Sequence, residues 1–498
     1  MPVQYIYKLK TLYYSIIISV LSLFVVNIDA AYAQGSPEIL RSSSSLLQIS
    51  SSGNNVYIMW SDYDQKERVY LTLFRAIHDG GKSIGHIYEM GNSFSGPTFS
   101  QMASRENNLY ITQGNVLKKS SDYGITFNDT IPVSTPVGGI SNIVATGNNV
   151  YLTFDNVINS GNSFEVLFAA SKDNGTTFGN SVKLFGMPES SEDYSQIAAS
   201  GTNVYVVGEG KYGGLQGPIG VLYRASRDGG ATFSDTIDLS GNNSTDYAPK
   251  VATSGNYVYV AWSELTSDKK NTDLILRMSN DGGETFGPKI RLNQDNSSSG
   301  TYGTYFIQLL ARDFTLYVKW WDVHFLPNGT ETDHLLFDRI INEDATVGKT
   351  IEFTGNGARP TDIGHNSMIS VGGNNVYALW SEYPNQSSSQ MRIFLRTSND
   401  GGFSFGNAID INNQTNLSGR NGMTDAQITT DGNNVYVAGD VIPPALGILF
   451  GTSTDNGKTF DGITDIDADV IPEFLFAMPL LLIGMVSVMI TYRILIRK

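Results

Sequence analysis

Apolar and polar positions alternate along short segments of this chain, and clusters of Gly, Asn, Asp and Ser separate the segments. Alternation with period two, carried by β-branched and aromatic residues between turn formers, predicts strands and hairpins throughout. One phrase recurs: a Gly/Asn turn, a Val-Tyr pair or its equivalent, then an apolar run. It appears as NNVYIMWSD (54–62), NNLYITQGN (107–115), NNVYLTFD (148–155), TNVYVVGE (202–209), NYVYVAWSE (256–264), FTLYVKWWD (314–322), NNVYALWSE (374–382) and NNVYVAGD (433–440). Eight copies at intervals of roughly 40 to 60 residues match the length of four-stranded propeller blades.

A second phrase, S-x-D-x-G-x-T/S-F, follows the first. Six good copies place aspartates at Asp122, Asp173, Asp228, Asp281, Asp400 and Asp455. Two further copies are degenerate, at 77–84 and around 342–347. The aspartate suits capping of a tight turn, the glycine a left-handed backbone, and the phenylalanine a place between sheets. An aspartate repeated once per unit reads as turn architecture rather than as a catalytic group.

These six copies resemble the Asp-box, or BNR, repeat of sialidase-like β-propellers, over roughly residues 45–466. Both phrases predict an all-β chain: a propeller of eight four-stranded blades, with a seven-bladed ring and one irregular unit as the alternative. In each unit the Val-Tyr strand is second, the third strand leads into the box and the outer strand leaves it. Either Pro37–Leu40 or Asp461–Asp469 is expected to complete the last blade.

The boxes would share one rim of such a ring, and any ligand site would lie on the other. On that second rim, acids end the Val-Tyr strand in seven units: Asp62, Asp155, Glu209, Glu264, Asp322, Glu382 and Asp440. Tryptophans stand just before several of them, at Trp60, Trp262, Trp320, Trp321 and Trp380. A ring of acids and aromatics could hold a cation or stack a sugar; equally, the acids could cap loops and the indoles fill gaps between blades. A base also recurs just before the box, at Arg75, Lys118, Arg224, Arg277, Arg339 and Arg396. Sialidases of the resembling family use an Arg-Ile-Pro motif, three arginines, a tyrosine nucleophile paired with a glutamate, and an aspartic acid/base. The Arg-Ile-Pro motif is absent here, and the nearest tyrosine–acid neighbours are Asp193-Tyr194, Asp246-Tyr247 and Glu382-Tyr383.

The ends read differently. Residues 1–33 form a signal peptide pattern: Lys8 and Lys10, an apolar stretch, then Ala31-Tyr32-Ala33. Residues 34–466 are the propeller and 467–473 a short stalk. Residues 474–492 carry no charge and are mostly apolar, about the span of a bilayer core, and a basic tail, 493–498, follows. That order predicts a transmembrane helix with the propeller outside the cell. Pro472-Glu473-Phe474 before the apolar segment resembles the PEF-type sorting signal of archaeal surface proteins. That resemblance implies cleavage near the tripeptide and transfer to a lipid anchor.

Composition narrows the chemistry. With no cysteine, disulfides, thiolate metal sites and cysteine nucleophiles are excluded. A net charge of −15 argues against nucleic acid as a partner. The five histidines show no metal-binding spacing, and no phosphate-loop or dinucleotide motif is present, so neither metal nor cofactor is expected. Nine N-x-S/T sequons suit an exported domain. The expectation is a surface-anchored, non-catalytic module that binds a surface glycan or an envelope protein. An exo-acting glycoside hydrolase of the sialidase type and a purely structural envelope protein are the alternatives.

Overall fold

The computed structural model describes residues 45–467 except for the stretches 65, 95–99, 129, 134–137, 159–162, 188–194, 212–218, 242–245, 267–269, 294–300, 314, 326–330, 342–345, 355–366, 384–390, 415–422 and 442–446. Eight antiparallel sheets follow one another along the chain. Seven have four strands in chain order, and the sixth adds a short fifth strand, Ile351–Glu352, beside its third. The inner strands neighbour one another in a circle: Ser45–Ser52 of the first blade touches both Ser100–Arg105 of the second and Met423–Thr430 of the eighth. This is an eight-bladed propeller, and the seven-bladed alternative is set aside.

Among the described residues no strand is exchanged to close the ring; Pro37–Leu40 lies outside them. The outer strand of blade 8 is Asp461–Asp465, paired with Ile448–Ser453 of the same blade. Side chains make the closure instead. Trp60, Leu71 and Leu73 of blade 1 pack with Ile448, Phe450 and Ile466 of blade 8. Ser51 Oγ lies 2.9 Å from Thr429 Oγ1, and the Arg75 guanidinium donates to the Ile466 carbonyl.

Period-two alternation sorts each Val-Tyr strand onto two blade interfaces. Its tyrosine faces the following blade: a Cβ on Gly175 would lie 2.7 Å from Tyr110 Cε1, and Tyr151 Oη donates to Gly201 O at 3.1 Å. The tryptophan three residues later faces the preceding blade. Trp262 packs with Val221, Tyr223 and Leu239, and Trp380 stacks on Phe353 at 5.9 Å. Both faces of these strands are therefore buried, which explains their nearly unbroken apolar sequence.

Each of the six S-x-D-x-G turns is built alike. The serine hydroxyl donates to the aspartate and accepts the glycine N–H, as in Ser226→Asp228 at 2.8 Å and Gly230→Ser226 at 2.8 Å. The aspartate also accepts the N–H and hydroxyl of the residue four positions on, Thr232, at 2.9 and 2.6 Å. In four of the turns the terminal phenylalanine meets a ring of the preceding blade edge-on, Phe127 on Phe74 at 5.2 Å, Phe233 on Phe168 at 4.9 Å, Phe286 on Tyr223 at 4.9 Å and Phe405 on Phe337 at 5.2 Å. The degenerate unit at 77–84 folds otherwise. Ile77 replaces the serine, and Asp79, Gly80 and Gly81 all turn left-handed in a tight hairpin between long strands.

Residues 1–33 and 474–492 lie outside the described residues. Among the described residues no helix is long and apolar enough to cross a membrane; the helical turn Ile411–Gln414 is four residues long.

Candidate functional site

The S-x-D-x-G turns occupy one rim, and the loops between second and third strands and between blades occupy the other. On this loop rim the six acids whose side chains are described do not form one ring. Counted from the Val-Tyr tyrosine, Asp62, Glu264, Asp322 and Glu382 stand five residues on, whereas Asp155, Glu209 and Asp440 stand four on. Alternation therefore turns the first group toward the preceding blade, and Glu209 and Asp440 toward the following one.

The first group sits with the tryptophans. Trp262 Nε1 donates to Glu264 Oε2 at 3.2 Å and Trp380 Nε1 to Glu382 Oε2 at 3.0 Å. Lys289 Nζ lies 2.5 Å from the same Glu264 oxygen and over the Trp262 ring. Asp62 accepts the Tyr63 N–H at 2.7 Å. Of the second group, Glu209 accepts the Ala248 N–H of the next blade at 2.9 Å, Asp440 is buried, and the Asp155 side chain lies outside the described residues. Trp60, Trp262, Trp320 and Trp380 are each at most 1% exposed, in the cores between blades rather than on an open surface.

The box aspartates are held as anions by their turns. The Ser171 and Thr177 hydroxyls pull Asp173 down to about 2. At Asp400 and Asp455 burial pushes upward, but hydrogen bonds from the turn outweigh it and bring both to about 2. Asp228 and Asp281 are lowered further, and Asp122 is lowered too.

The recurrent bases join blades. Arg277 donates to Gly287 O at 2.8 Å and Phe286 O at 2.9 Å in its own blade, and to Leu239 O of the preceding blade at 3.1 Å. Arg224 reaches Leu184 O at 2.9 Å, Arg396 reaches Glu352 O at 3.2 Å, and Arg75 reaches Ile466 O. Strand pairing corrects one member of this series. The position opposite the residue after the tyrosine holds Arg75, Lys118, Arg224, Arg277 and Arg396, but in blade 6 it holds Asp338, not Arg339.

Blade 6 departs from its neighbours in other ways. Asp338 is fully buried, accepts from Thr350 Oγ1 at 3.1 Å, and is pushed up to about 7 by burial. Asp322 accepts from Thr304 Oγ1 at 2.5 Å; burial raises it to about 6, the Thr304 bond opposing. His334 Nδ1 pairs with Glu352 at 2.6 Å, and its ring meets that of His324 at 4.9 Å. Lys319 is buried, donates to Ser367 O and Oγ at 3.0 Å each, and is lowered to about 7 by burial and by Lys250. On the inner strand Tyr305 stays 47% exposed, with its ring 6.0 Å from that of Trp321. Among the described residues, no group of three His, Asp or Glu side chains could hold a metal ion.

One feature of the axis was missed in reading the sequence. Nine residues before each Val-Tyr tyrosine, the inner strands carry Gln48, Gln101, Asn142, Gln196, Lys250, Gln308, Met368 and Gln427. Four of the amides bind the next inner strand. Gln48 donates to Ser100 O at 2.6 Å and Asn142 to Ser195 O, while Gln427 accepts from Ile49 N at 3.3 Å. Gln308 donates to Ile369 O at 3.0 Å and accepts its N–H at 2.8 Å. The constant offset was the signal that could have found them.

No family model and no curated protein matches the chain. Among solved structures, a polysaccharide lyase of family PL25, an ulvan lyase, is 10% identical, with 66% of this chain and 86% of that chain covered and a TM-score of 0.44. The acylaminoacyl peptidase of Pyrococcus horikoshii is 8% identical, with 82% and 58% covered and a TM-score of 0.45. The β-propeller domain of the trilobed protease of Pyrococcus furiosus is 9% identical, with 74% and 96% covered and a TM-score of 0.43. None of these likenesses bears on the chemistry of this chain.

Proposed function

We propose that this chain is a surface-anchored propeller whose loop rim binds a glycan or an envelope protein without turning it over. One observation carries the reading. Among the described residues, the recurrent arginines Arg75, Arg224, Arg277 and Arg396 are engaged with backbone carbonyls between blades, as Arg277 is with Leu239 and Arg224 with Leu184, rather than grouped for a sugar carboxylate. The loop rim, in contrast, holds side chains that do not repeat from blade to blade, among them the half-exposed Tyr305. An exposed aromatic beside the axis suits stacking on a sugar face. The six box turns support kinship with the Asp-box propellers, and the signal pattern and apolar segment support export and anchoring. Retention on a glycan array by the soluble domain, lost on Tyr305→Ala, is the test.

A second reading, an exo-acting glycoside hydrolase, is favoured by Asp322. Burial raises this acid to about 6, which keeps the proton that a general acid gives up, and at 4% exposure the loop rim would have to open before Asp322 met a substrate. Turnover of a fluorogenic glycoside, abolished in Asp322→Asn, would establish it.

A further inference from the structure

The last described strand fixes where the chain leaves the propeller. The outer strand Asp461–Asp465 runs away from the box turn at Asp455, and Ile466 N donates to Ile448 O at 2.9 Å. Ile448 opens the third strand of blade 8, immediately after its loop-rim connection. Ile466 and Asp467 therefore stand on the loop rim, both buried against the ring, and the Arg75 guanidinium of blade 1 holds the Ile466 carbonyl there. The exit point is fixed at the seam where the ring closes.

Six residues, 468–473, separate Asp467 from the apolar segment 474–492. Six residues reach at most about 20 Å when fully extended. The Val-Tyr strand of blade 1, Asn55–Asp64, has ten residues and sets the height of the ring at about 30 Å. A chain leaving the loop rim cannot run back past the box rim within that reach. Attachment near Pro472-Glu473 to a lipid would shorten the reach further.

We infer that the loop rim faces the membrane that anchors the chain and that the box rim faces outward. This rests on the anchoring proposed above. The loops at issue are those between second and third strands and between blades. In sequence, seven of the nine sequons, Asn242, Asn243, Asn296, Asn328, Asn385, Asn413 and Asn416, fall between strands that are joined at this rim. A partner held on this rim is therefore a component of the same cell's envelope, within about 20 Å of the bilayer, and not a molecule on a facing cell.

The absence of cysteine allows a clean test. Glu67→Cys lies on the loop rim and Ala231→Cys on the box rim, both at exposed positions. Each full-length variant is labelled with a donor dye, reconstituted into vesicles containing a headgroup-labelled acceptor lipid, and floated. The expected result is energy transfer at least about twofold more efficient from position 67 than from 231, given the height that the strand rise sets. Flotation with equal or reversed transfer would overturn the orientation alone. Failure to float would overturn the anchoring and this inference with it.

Discussion

Gly283, in the box turn of blade 5, has no room for a side chain: Tyr223 of blade 4 fills the place, its Oη 1.8 Å from where a Cβ would stand. The same relation joins Gly230 to Phe168 and Gly175 to Tyr110. The box turns are thus joints between blades as well as turns within them, which accounts for the recurrence of their glycine.

Gly283→Ala should be more destabilising than Gly255→Ala. Both positions are left-handed, at φ +80° and +59°, but Gly255 has nothing within 4 Å. The backbone strain alone is about 1–2 kcal/mol; the collision with Tyr223 adds about 1–3 kcal/mol. Denaturant unfolding of the two variants checks the order. Equal losses would contradict the joint.

Arg277→Ala should lose about 2–4 kcal/mol, because three carbonyls lose a charged donor. Arg277→Lys should recover only part of it, since an ammonium cannot span three acceptors set for a planar fork. Thermal unfolding of the three proteins is the measurement. An unchanged midpoint in Arg277→Ala would mean that the guanidinium is not a joint between blades.

The buried groups of blade 6 give the stability a defined pH dependence. Asp338, raised to about 7, and Asp322, raised to about 6, hold protons in the folded state that the unfolded chain has released above about pH 4. Their contribution is full below pH 4 and is lost as pH rises to 7. Lys319, lowered to about 7, acts in the opposite sense: the unfolded chain binds the extra proton between pH 7 and 10.5, so stability rises across that window. Asp338→Asn should flatten the first limb and Lys319→Met the second, as read from unfolding free energies between pH 4 and 10. Limbs unchanged by both substitutions would refute the assignment.

At the acid end the box aspartates take over. Asp173, Asp400 and Asp455, lowered to about 2, contribute stability above pH 4 that is lost as pH falls toward 2. Asp173→Asn should therefore narrow the stability gap between pH 5 and pH 2, a difference accessible to urea titration. A gap as wide as that of the unaltered protein would count against the turn bonds.

The repeat was legible because each blade must bury the same two faces. The Val-Tyr tyrosine of one blade lies against the box glycine of the next at Tyr110–Gly175, Tyr205–Gly283, Tyr317–Gly402 and Tyr377–Gly457, so neither could drift there. The blade count and the order of strands followed from that. The acids were harder to place. Glu209 and Asp440 look equivalent to Asp62 and Glu264 at a strand end, yet a one-residue offset turns them toward the opposite blade. Arg339 was misread for the same reason, since only pairing reveals that Asp338 holds its position. The amides at Gln48 and Gln308 were overlooked because inner strands are short and their pattern shows only against the distant tyrosine. Burial of Lys319 left no mark on the sequence, as its partner, Ser367, lies in the next blade.

The central claim is that the loop rim binds and does not catalyse. Residues 34–470, unaltered or carrying Tyr305→Ala on the loop rim or Phe403→Ala on the box rim, would be applied to a glycan array and to fluorogenic glycosides. The account predicts retention on the array by the unaltered and Phe403→Ala proteins, loss in Tyr305→Ala, and no turnover by any of them. Turnover by the unaltered domain, or retention that Phe403→Ala abolishes and Tyr305→Ala leaves intact, would contradict it.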